Sequence, residues 1–355
     1  MKKIKLGKSL VSNKSKTYFI ADIAANHDGD LKRAKKLIKL CAQAGADAAK
    51  FQHFKANTIV NNSGFKEVGK ISHQSKWKKN VYETYEDASI NFNWTKILQL
   101  ECKKNKIDFM TSPYDLSYVD AVNKYICAYK IGSGDITWME IIKKISQKKK
   151  PVILSTGAAD LIEVKKAVKE IKKFNSQIIL MQCNTNYTNE EKNFNYINLN
   201  VLKTYRKIFG KNIILGLSDH TEGHTTVLGA VSFGARVIEK HFTDNNNRKG
   251  PDHAFSMNFK TWKEMVDQTR RLEKAMGSGV KKIEGNEKLS SIIQKRAYYA
   301  KSFIKKGSKI KQGMIIPLRP CMKNSISPDK FTQIVNKTAK RNIKIGECIK
   351  KNFIR

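Results

Sequence analysis

Short apolar runs alternate with longer amphipathic stretches over most of the chain. Eight of the runs have the length and composition of buried β-strands: TYFIADIA (17–24), ADAAKFQ (46–52), IDFMTS (107–112), CAYKIG (127–132), PVILST (151–156), QIILMQC (177–183), NIILGLS (212–218) and ARVIEKHF (235–242). Segments between them, such as 31–41 and 161–171, carry apolar residues at helical spacing. Buried strands alternating with amphipathic helices predict a parallel sheet covered by helices, and eight such units predict an α/β fold of the TIM (β/α)8 barrel type. The alternative is a doubly wound open sheet, which usually has fewer strands and a glycine-rich first turn that this chain lacks.

The pattern changes at two places outside these units. Residues 55–93, between the second and third strands, are too many and too polar for an ordinary connection, which predicts a lid or rim over the barrel mouth. Residues 277–295 are polar and contain glycines, as in a linker. Short β-like runs separated by Lys-Gly turns follow. We therefore expect a barrel domain over 1–276 and a small β-rich module over 296–355, a size that rarely stands alone without a partner surface.

Charge and cysteine content narrow the class of protein. The 68 lysines and arginines outnumber the 31 acidic residues and give a net charge of +37, but they are spread in short groups, mostly along predicted helix faces. Such a spread indicates a solvated surface and no nucleic-acid site, and it is compatible with an anionic small substrate. The six cysteines form no CxxC pair and lie mostly in apolar runs, which predicts reduced thiols and a cytoplasmic location. No apolar run is long enough for a signal peptide or a membrane span.

Polar residues end each predicted strand, where a barrel of this kind carries its active site. Lys50 and Lys130 interrupt apolar strands, and a desolvated ammonium without a counter-ion costs on the order of several kcal/mol. A salt bridge to an internal Asp or Glu explains either lysine alone equally well. Two such lysines with serines at neighbouring strand ends are more typical of a site for a phosphate and a carboxylate. The serines are Ser112, Ser133 and Ser155.

Two histidines end consecutive predicted strands and suggest a metal site. His220 follows the seventh strand and His241 lies in the eighth, and adjacent strands are about 4.8 Å apart, so both rings can reach one divalent ion. A single histidine at a strand end is more often structural, but the pair, with Asp219 and Glu239 near it, favours a metal. Two histidines completed by water and substrate oxygens suit Mn²⁺, Fe²⁺, Co²⁺ or Mg²⁺ better than a closed structural zinc site.

Several longer stretches carry a resemblance to one enzyme family. They are FIADIAANHDGDLKRAKKLI, AGADAAKFQ, TSPYD, YKIGSGD, PVILSTG, LGLSDHTEGH, LGAVSFGARVIEKHFTD and GPDHAFSMN, which together span about residues 18–275. Through them the chain resembles the sialic acid synthase family, which comprises N-acetylneuraminate, legionaminate and pseudaminate synthases. Residues 296–355 resemble the antifreeze-like (SAF) domain of that family, a β-clip fold that in relatives swaps across a homodimer and covers the partner's barrel.

The resemblance implies a role for individual residues. His220 and His241 become the ligands of a divalent metal, with Mn²⁺ expected before Mg²⁺ or Co²⁺. The positions that match the phosphoenolpyruvate site are Lys50, Ser112, Lys130, Ser133 and Ser155, and we add Ser218 and Glu239 from the neighbouring strand ends. Tyr187 and Asp252 match contacts to the acceptor sugar. Arg319 matches the arginine that the antifreeze-like domain sends into the neighbouring subunit's site.

The implied reaction joins phosphoenolpyruvate to an amino-sugar aldehyde. C3 of phosphoenolpyruvate attacks the aldehyde of an open-chain N-acylated mannosamine-type sugar, water adds at C2, and phosphate leaves with C–O cleavage. Asp22 is the candidate proton carrier in this scheme. N-acetylneuraminate is the expected product, and the alternative is legionaminate or pseudaminate made from a 2,4-diacetamido-trideoxyhexose. No motif specifies a phosphate pocket for the acceptor, so we expect an unphosphorylated sugar.

The chain departs from the family pattern at named positions. Asp22 stands where most relatives have Glu, which withdraws the carboxylate by about 1 Å. Thr188 replaces a proline after Tyr187, which leaves that loop less rigid. Residues 55–93 match poorly, so no acceptor contact is transferred from them. Two rival functions stay open: a lyase or aldolase that uses Lys50 or Lys130 as a Schiff-base lysine, and a non-catalytic polyanion- or polysaccharide-binding protein on the same scaffold.

Overall fold

The computed structural model describes residues 2–68, 74, 77–188 and 190–355. The chain divides into two compact units between Gly277 and Ser278. The segment predicted as a linker, 277–295, therefore falls almost wholly in the second unit, where Lys288–Ile293 forms a short helix. None of the helices in the described residues is long and apolar enough to cross a membrane.

Eight parallel strands close into a barrel in the first unit, and the last strand pairs with the first. Numbered after an N-terminal hairpin, they are β3 (Tyr18–Asp22), β4 (Ala48–His53), β5 (Asp108–Pro113), β6 (Tyr129–Ile131), β7 (Val152–Ser155), β8 (Ile178–Cys183), β9 (Ile214–Asp219) and β10 (Ala235–His241). Each overlaps one of the eight predicted runs. The predicted (β/α)8 barrel is confirmed.

Helices follow the barrel strands, and all but the three of the 55–93 stretch pack apolar side chains on the outside of the sheet. They are α1 (Leu31–Gln43), α2 (Ala56–Ile59), α3 (Asn62–Val68), α4 (Val81–Ala88), α5 (Trp94–Lys104), α6 (Leu116–Val122), α7 (Met139–Gln147), α8 (Leu161–Phe174), α9 (Val201–Phe209), α10 (Thr225–Ser232) and α11 (Phe259–Ala275). Capping side chains fix where several of them begin: Asp30 accepts from the Lys32 N–H at α1, and Asp160 accepts from two N–H groups at α8. The stretch 55–93 contains α2, α3 and α4, and its residues 69–73, 75 and 76 lie outside the described part of the chain.

The inward face of the barrel changes from apolar to polar within two residues along several strands. Ile20 of β3 and Ile153 of β7 belong to an apolar cluster inside the barrel. Asp22 and Ser155 lie two positions further on and therefore point to the same side of the sheet. The carboxyl ends of the strands thus bury polar side chains, whereas the amino ends bury apolar ones.

A β-hairpin that the sequence pattern did not predict packs against the apolar end of the barrel. Its strands are β1 (Lys3–Leu6) and β2 (Ser9–Ser12), which pair antiparallel. The buried side chains Ile4, Leu6 and Val11 join the apolar cluster of the barrel interior. Two strands of only four residues each, the first with lysines in alternate positions, give too weak a signal to be identified without the surface that they cover.

The second unit is a small β-rich body. It contains α12 (Lys288–Ile293) and the antiparallel pair β11 (Ala297–Ala300) and β12 (Ile315–Leu318), with further single bridges such as Ile304 to Ile343. Its core is a cluster of isoleucines with Tyr298 and alanines. The predicted β-rich module after the barrel is confirmed.

Candidate active site

Lys50 forms the centre of a buried charged group at the carboxyl end of the barrel. Asp22 is its direct neighbour in the β3–β4 register, and the Nζ atom of Lys50 lies 2.6 Å from Oδ2 of Asp22. The same Nζ lies 3.6 Å from Oε1 of Glu239 and donates to Oγ of Ser112 at 3.4 Å. All four side chains are buried. The ammonium is therefore held by protein groups from three different strands.

Lys130 also reaches the carboxylate of Glu239. Its Nζ lies 3.1 Å from Oε1 of Glu239, and Oγ of Ser218 donates to that oxygen at 3.3 Å. The other oxygen, Oε2, has no hydrogen-bond partner within the described residues although it is buried. Two lysines and two carboxylates thus form one interior network whose formal charge sums to zero. Both explanations of the lysines from the sequence remain valid, since the ion pairs exist and lie at the expected strand ends.

The carboxylates in this network are not equivalent in acidity. Burial alone would raise the pKa of Glu239, but Lys130 and Lys50 outweigh burial and hold that pKa at about 2. Burial prevails at Asp22, whose pKa is raised above the usual range in spite of Lys50. Glu239 is therefore a fixed negative charge at neutral pH. Asp22 is the more readily protonated of the two and is the better proton carrier.

The two histidines predicted as metal ligands do come together. His220 directly follows β9, His241 ends β10, and their ring centroids are 5.4 Å apart. Nδ1 of His220 is 2.9 Å from the carbonyl oxygen of Asn184, which can only accept, so Nδ1 donates and Nε2 keeps its lone pair. Burial is the main cause that lowers the pKa of each histidine to about 3. Both imidazoles are neutral near pH 7, which is the form that binds metals.

The surroundings of His241 also fit a metal ion. Nδ1 of His241 is buried without a hydrogen-bond partner in the part of the chain that is described. Carboxylate oxygens of Asp22 and Asp252 lie 3.6 Å from Nε2 and 3.7 Å from Nδ1, respectively. The described residues hold no ready-made group of three or more His, Cys, Asp or Glu side chains for a metal. A divalent ion on these two histidines would need oxygen ligands from water or substrate, as Mn²⁺ and Mg²⁺ accept.

Asp219, which the sequence placed near the histidine pair, belongs to a different environment. It lies on the outer face of β9, because Ser218 faces inward and strand residues alternate in direction. Its carboxylate binds the buried ammonium of Lys240 and accepts from the hydroxyls of Thr221 and Thr226. This network joins two strands behind the site. Asp219 is next to His220 in the chain, as the sequence indicated, but its carboxylate bonds in the described residues are to Lys240 and the threonines.

The predicted serines occupy neighbouring strand ends. Ser112 ends β5 beside Lys50, and Ser155 ends β7 with its Oγ 3.9 Å from Sδ of Met181. Ser133 begins the turn after β6, where its Oγ accepts from the Gly157 N–H at 2.9 Å. All three hydroxyls therefore lie at the carboxyl end of the barrel, one of them in contact with Lys50, where they could donate to the oxygens of an anion.

Two aromatic side chains pack against the histidines and form what we call the aromatic wall. The ring of Tyr187 is 4.4 Å from that of His220, and the ring of Phe255 is 4.9 Å from that of His241. Asp252 is held close by, since its Oδ2 accepts from the Ala25 N–H at 3.1 Å. Burial raises the pKa of Asp252 to about 7. This side chain is thus poised between its charged and neutral forms near neutral pH.

A cavity of about 770 Å³ opens beside this wall, large enough for a sugar-sized ligand. It is lined by Ala25, Asp28, Gly29, Trp77, Lys78, Lys79, Thr84, Asp87, Ala88, Tyr187, Thr188, Arg248, Lys249, Gly250, Pro251, Ala254 and Phe255. Residues of the 55–93 stretch contribute six of these positions, as expected of a rim.

Arg319 lies in the second unit, directly after β12, and its side chain is exposed. Its guanidinium forms no ion pair with any of the described residues. Whether it completes a neighbouring subunit's site stays a prediction.

Three contributors to the site carry too little sequence signal to be assigned a role beforehand. Gln52 donates to Oδ2 of Asp22 at 3.2 Å, Asn184 orients His220 through its backbone carbonyl, and Phe255 packs on His241. Gln52 and Asn184 lie at the ends of predicted strands, so the sequence indicated their places, but it did not indicate their partners. A backbone carbonyl and a loop phenylalanine have no signature in the sequence.

A closed (β/α)8 barrel with buried lysines, carboxylates and paired histidines at its carboxyl end, followed by a small β-rich unit, defines the class. The chain belongs to the NeuB family, whose model matches residues 37–281, and a SAF domain model matches residues 295–355. This confirms the family resemblance seen in the sequence, and the relatives are synthases of nonulosonic acids.

Individual relatives cover nearly the whole chain. The N,N′-diacetyllegionaminic acid synthase of Campylobacter jejuni is 36% identical over 339 residues, which are 94% of this chain and 99% of that protein. A pseudaminic acid synthase of the same species is 32% identical over 341 residues, covering 94% and 96%. The crystal structure of N-acetylneuraminic acid synthetase from Leptospira borgpetersenii in complex with citrate matches with a TM-score of 0.70 and 27% identity, covering 81% of this chain and 95% of that one.

Proposed function

We propose that the protein condenses phosphoenolpyruvate with an N-acylated amino-sugar aldehyde, forms a nonulosonic acid and releases phosphate. The observation that carries this proposal is the meeting of the Lys50–Lys130 network with the neutral His220–His241 pair at one end of the barrel. The first brings ammonium and hydroxyl donors that can bind the oxygens of an anion, and the second brings ring nitrogens that can bind a divalent cation. Family membership supports the same reaction, since the relatives are named as synthases of such acids.

The charge balance of the site supports a role for a metal. Lys50 and Lys130 are matched by Asp22 and Glu239, so the lysine network offers no net positive charge to an incoming anion. Phosphoenolpyruvate carries a phosphate and a carboxylate, and burying them needs further positive charge. His220 and His241 would hold a divalent ion such as Mn²⁺, or else Mg²⁺ or Co²⁺. When bound, it supplies that charge and polarises a carbonyl oxygen.

The chain's own residues account for binding and proton transfer. Lys50 and Lys130 pair with the phosphate and carboxylate oxygens, and the hydroxyls of Ser112, Ser133 and Ser155 donate to them. The C3 atom of phosphoenolpyruvate bonds to the aldehyde carbon, whose oxygen takes up a proton. Water adds at C2 and loses a proton, the C2–O bond to phosphate breaks, and the C2 hydroxyl becomes a ketone as its proton passes to the phosphate. Asp22, with its raised pKa, carries a proton between these positions.

The acceptor favoured here is a 2,4-diacetamido-trideoxyhexose. The cavity beside Tyr187 is lined in part by Ala25, Ala88, Pro251 and Phe255, which suit the methyl groups of acetamido and deoxy positions. The two Campylobacter relatives, named for N,N′-diacetyllegionaminic and pseudaminic acid, support the same choice. N-acetylmannosamine, which the sequence alone favoured, is the second candidate, supported by the likeness to the Leptospira N-acetylneuraminic acid synthetase.

Phosphate release from phosphoenolpyruvate tests the reaction. The purified protein is assayed with diacetamido sugars, N-acetylmannosamine and its 6-phosphate, each with Mn²⁺ and with EDTA. We expect acceptor-dependent release that EDTA abolishes and Mn²⁺ restores, fastest with a diacetamido sugar. Release that survives EDTA, together with a borohydride-trapped adduct on Lys50 or Lys130, would instead identify a Schiff-base enzyme. If no sugar causes phosphate release and the protein binds a polyanion in a salt-sensitive way, the non-catalytic alternative is indicated.

We also propose that Arg319 completes the site of a partner subunit in a domain-swapped homodimer, since its exposed guanidinium is unpaired among the described residues. Mixing inactive His241→Ala and Arg319→Ala proteins tests this. Random exchange of two subunits leaves one intact site in half of the dimers, so about one quarter of wild-type activity should return. If the arginine acted only within its own chain, mixing would restore nothing.

A further inference from the structure

The segment 242–258 after β10 carries two residues of the site but little regular structure. Asp252 and Phe255 stand against His241, with Oδ2 of Asp252 at 3.7 Å from Nδ1 and the Phe255 ring centroid at 4.9 Å. The backbone of this segment forms a single bridge, between Phe242 and Met257. The rest is held by a few turn hydrogen bonds, by side chains of the segment itself such as Asn246, and by side chains of the loop between β3 and α1.

His253 is the most deeply anchored of these side chains. It is 0% exposed, and both ring nitrogens have partners. Nδ1 lies 2.7 Å from Oγ1 of Thr243, and Nε2 lies 2.8 Å from Oδ1 of Asp28. A carboxylate only accepts, so Nε2 donates to Asp28. Leaving a buried nitrogen of this kind unpaired is unfavourable, which resists any movement that separates the pair.

Asp28 ties more than one part of the segment to the β3–α1 loop. Its second oxygen accepts from Nε and Nη2 of Arg248 at 2.9 and 2.7 Å, and Nε of Arg33 lies 3.1 Å from it. Arg33 also binds the carboxylate of Asp244 through two nitrogens. Asp28 in addition lines the cavity next to Tyr187. A single carboxylate thus connects the anchor of the segment to the wall of the proposed acceptor pocket.

Gly250 shows how closely this arrangement is packed. A Cβ atom at this position would lie 2.7 Å from Cδ2 of His253 and 3.5 Å from Oδ1 of Asp28. Glycine permits the backbone to pass directly over the Asp28–His253 pair. Closer to the ends of the segment, Asn26 donates to the carbonyl of Phe242 and to Oγ of Ser256, both at 2.9 Å.

We propose that Asp28 and His253 are positioning residues that hold the segment 242–258 so that Asp252 and Phe255 face His241 and the acceptor. The inference rests on the proposed function, because it assigns the acceptor to the adjoining cavity. Lys50 and Lys130 lie on strands, and within the described residues none of their ion pairs involves Asp28 or His253. Breaking the Asp28–His253 hydrogen bond should therefore raise the KM for the acceptor and leave the KM for phosphoenolpyruvate unchanged.

Steady-state kinetics with each substrate varied separately test the proposal. Asp28→Ala removes the acceptor of the His253 N–H, and Thr243→Val removes the other partner with little change of shape. We expect the acceptor KM to rise about tenfold or more in Asp28→Ala and about threefold in Thr243→Val, while the phosphoenolpyruvate KM stays within about twofold. Asp28→Asn keeps an oxygen for Nε2 and should recover much of the loss. Lys36→Gln, which removes an exposed partner of Asp244, is the control and should behave as wild type.

Hydrogen exchange of the same proteins gives a readout that needs no substrate. Amides of 242–258 should exchange faster in Asp28→Ala and Thr243→Val, with the barrel strands unchanged. Equal changes in both KM values, or wild-type kinetics in both variants, would overturn the inference while leaving the wild-type reaction standing. If the wild-type protein releases no phosphate with any acceptor, the proposed function fails. In that case, amide exchange in 242–258 that is the same in the variants as in the wild type overturns the positioning role separately. If Asp28→Ala does not fold, the KM values and exchange rates of Thr243→Val and Asp28→Asn test the proposal instead.

Discussion

The two ends of the barrel interior are built from the same strands but bury opposite kinds of side chain. At the amino end, Ile20, Ile153 and Val237 pack with the hairpin residues Ile4 and Leu6. At the carboxyl end, two residues along, the same strands present carboxylates, lysines and hydroxyls. Burial of the apolar layer stabilises the fold, whereas burial of the charged layer costs free energy that only pairing offsets. The residues that stabilise the fold and the residues of the candidate site thus lie at opposite ends of the barrel interior.

Removing a histidine of the proposed metal site at the charged end should cause the largest loss of activity, with little loss of stability. For His241→Ala we expect kcat/KM to fall about 10³-fold or more, because a ligand of the proposed metal is lost. The midpoint of thermal unfolding should change by only a few degrees, since the ring already lacks a partner for Nδ1 among the described residues. Phosphate release and circular dichroism measure the two quantities. Activity within tenfold of wild type would contradict the metal assignment.

Two buried lysines in nearby positions allow a sharper version of the same comparison. Lys130→Met leaves Glu239 short of a partner, and Lys240→Met leaves Asp219 short of one, so each should lose about 3 kcal/mol of unfolding free energy. Only Lys130 faces the site. We expect the phosphoenolpyruvate KM to rise about 10²-fold in Lys130→Met and to stay near wild type in Lys240→Met. Equal KM values in the two variants would remove Lys130 from the substrate site.

The apolar end should respond in stability alone. Ile153→Ala removes a fully buried side chain from the barrel interior and should cost about 3 kcal/mol of unfolding free energy. Because Ser155 keeps its place two residues on, kcat and both KM values should remain within about twofold. Urea unfolding and steady-state kinetics provide the measurements. A large change in phosphoenolpyruvate KM would show that the two layers are coupled.

A histidine outside both layers should affect only the pH dependence of the free energy of unfolding. His53 is 0% exposed, its ring nitrogens lie 2.7 and 2.8 Å from Thr111 and Thr95, and burial lowers its pKa to about 4. Its pKa in the unfolded chain is about 6.5, so the unfolded state binds the proton more tightly. The stability that the neutral ring contributes is complete above pH 6.5 and is lost as the pH falls through 4, by about 3 kcal/mol in all.

The pH dependence of urea unfolding, with a variant, measures this contribution. His53→Gln should flatten the dependence between pH 6.5 and 4, and the same change at the half-buried His224 is the control. An unchanged slope in His53→Gln would contradict the assignment.

Much of the fold and part of the site followed from local patterns. All eight strands were predicted because each is a short apolar run bounded by polar residues, and their order around the barrel follows the chain. The inward direction of Asp22, Lys50 and Glu239 follows from alternation along each strand. The hairpin β1–β2 was missed because its strands are short and make sense only against the barrel interior.

The sequence by itself determined which residues are near the carboxyl ends of the strands, since periodicity is a local property of the chain. It placed both His220 and His241 there, and the structure brings them together. Only the tertiary structure decided the partners. Lys130 binds Glu239 while Asp219, one residue from a site serine, binds Lys240 behind the sheet. Partner choice depends on strand register, facing direction and side-chain reach, which residues distant in the chain set jointly.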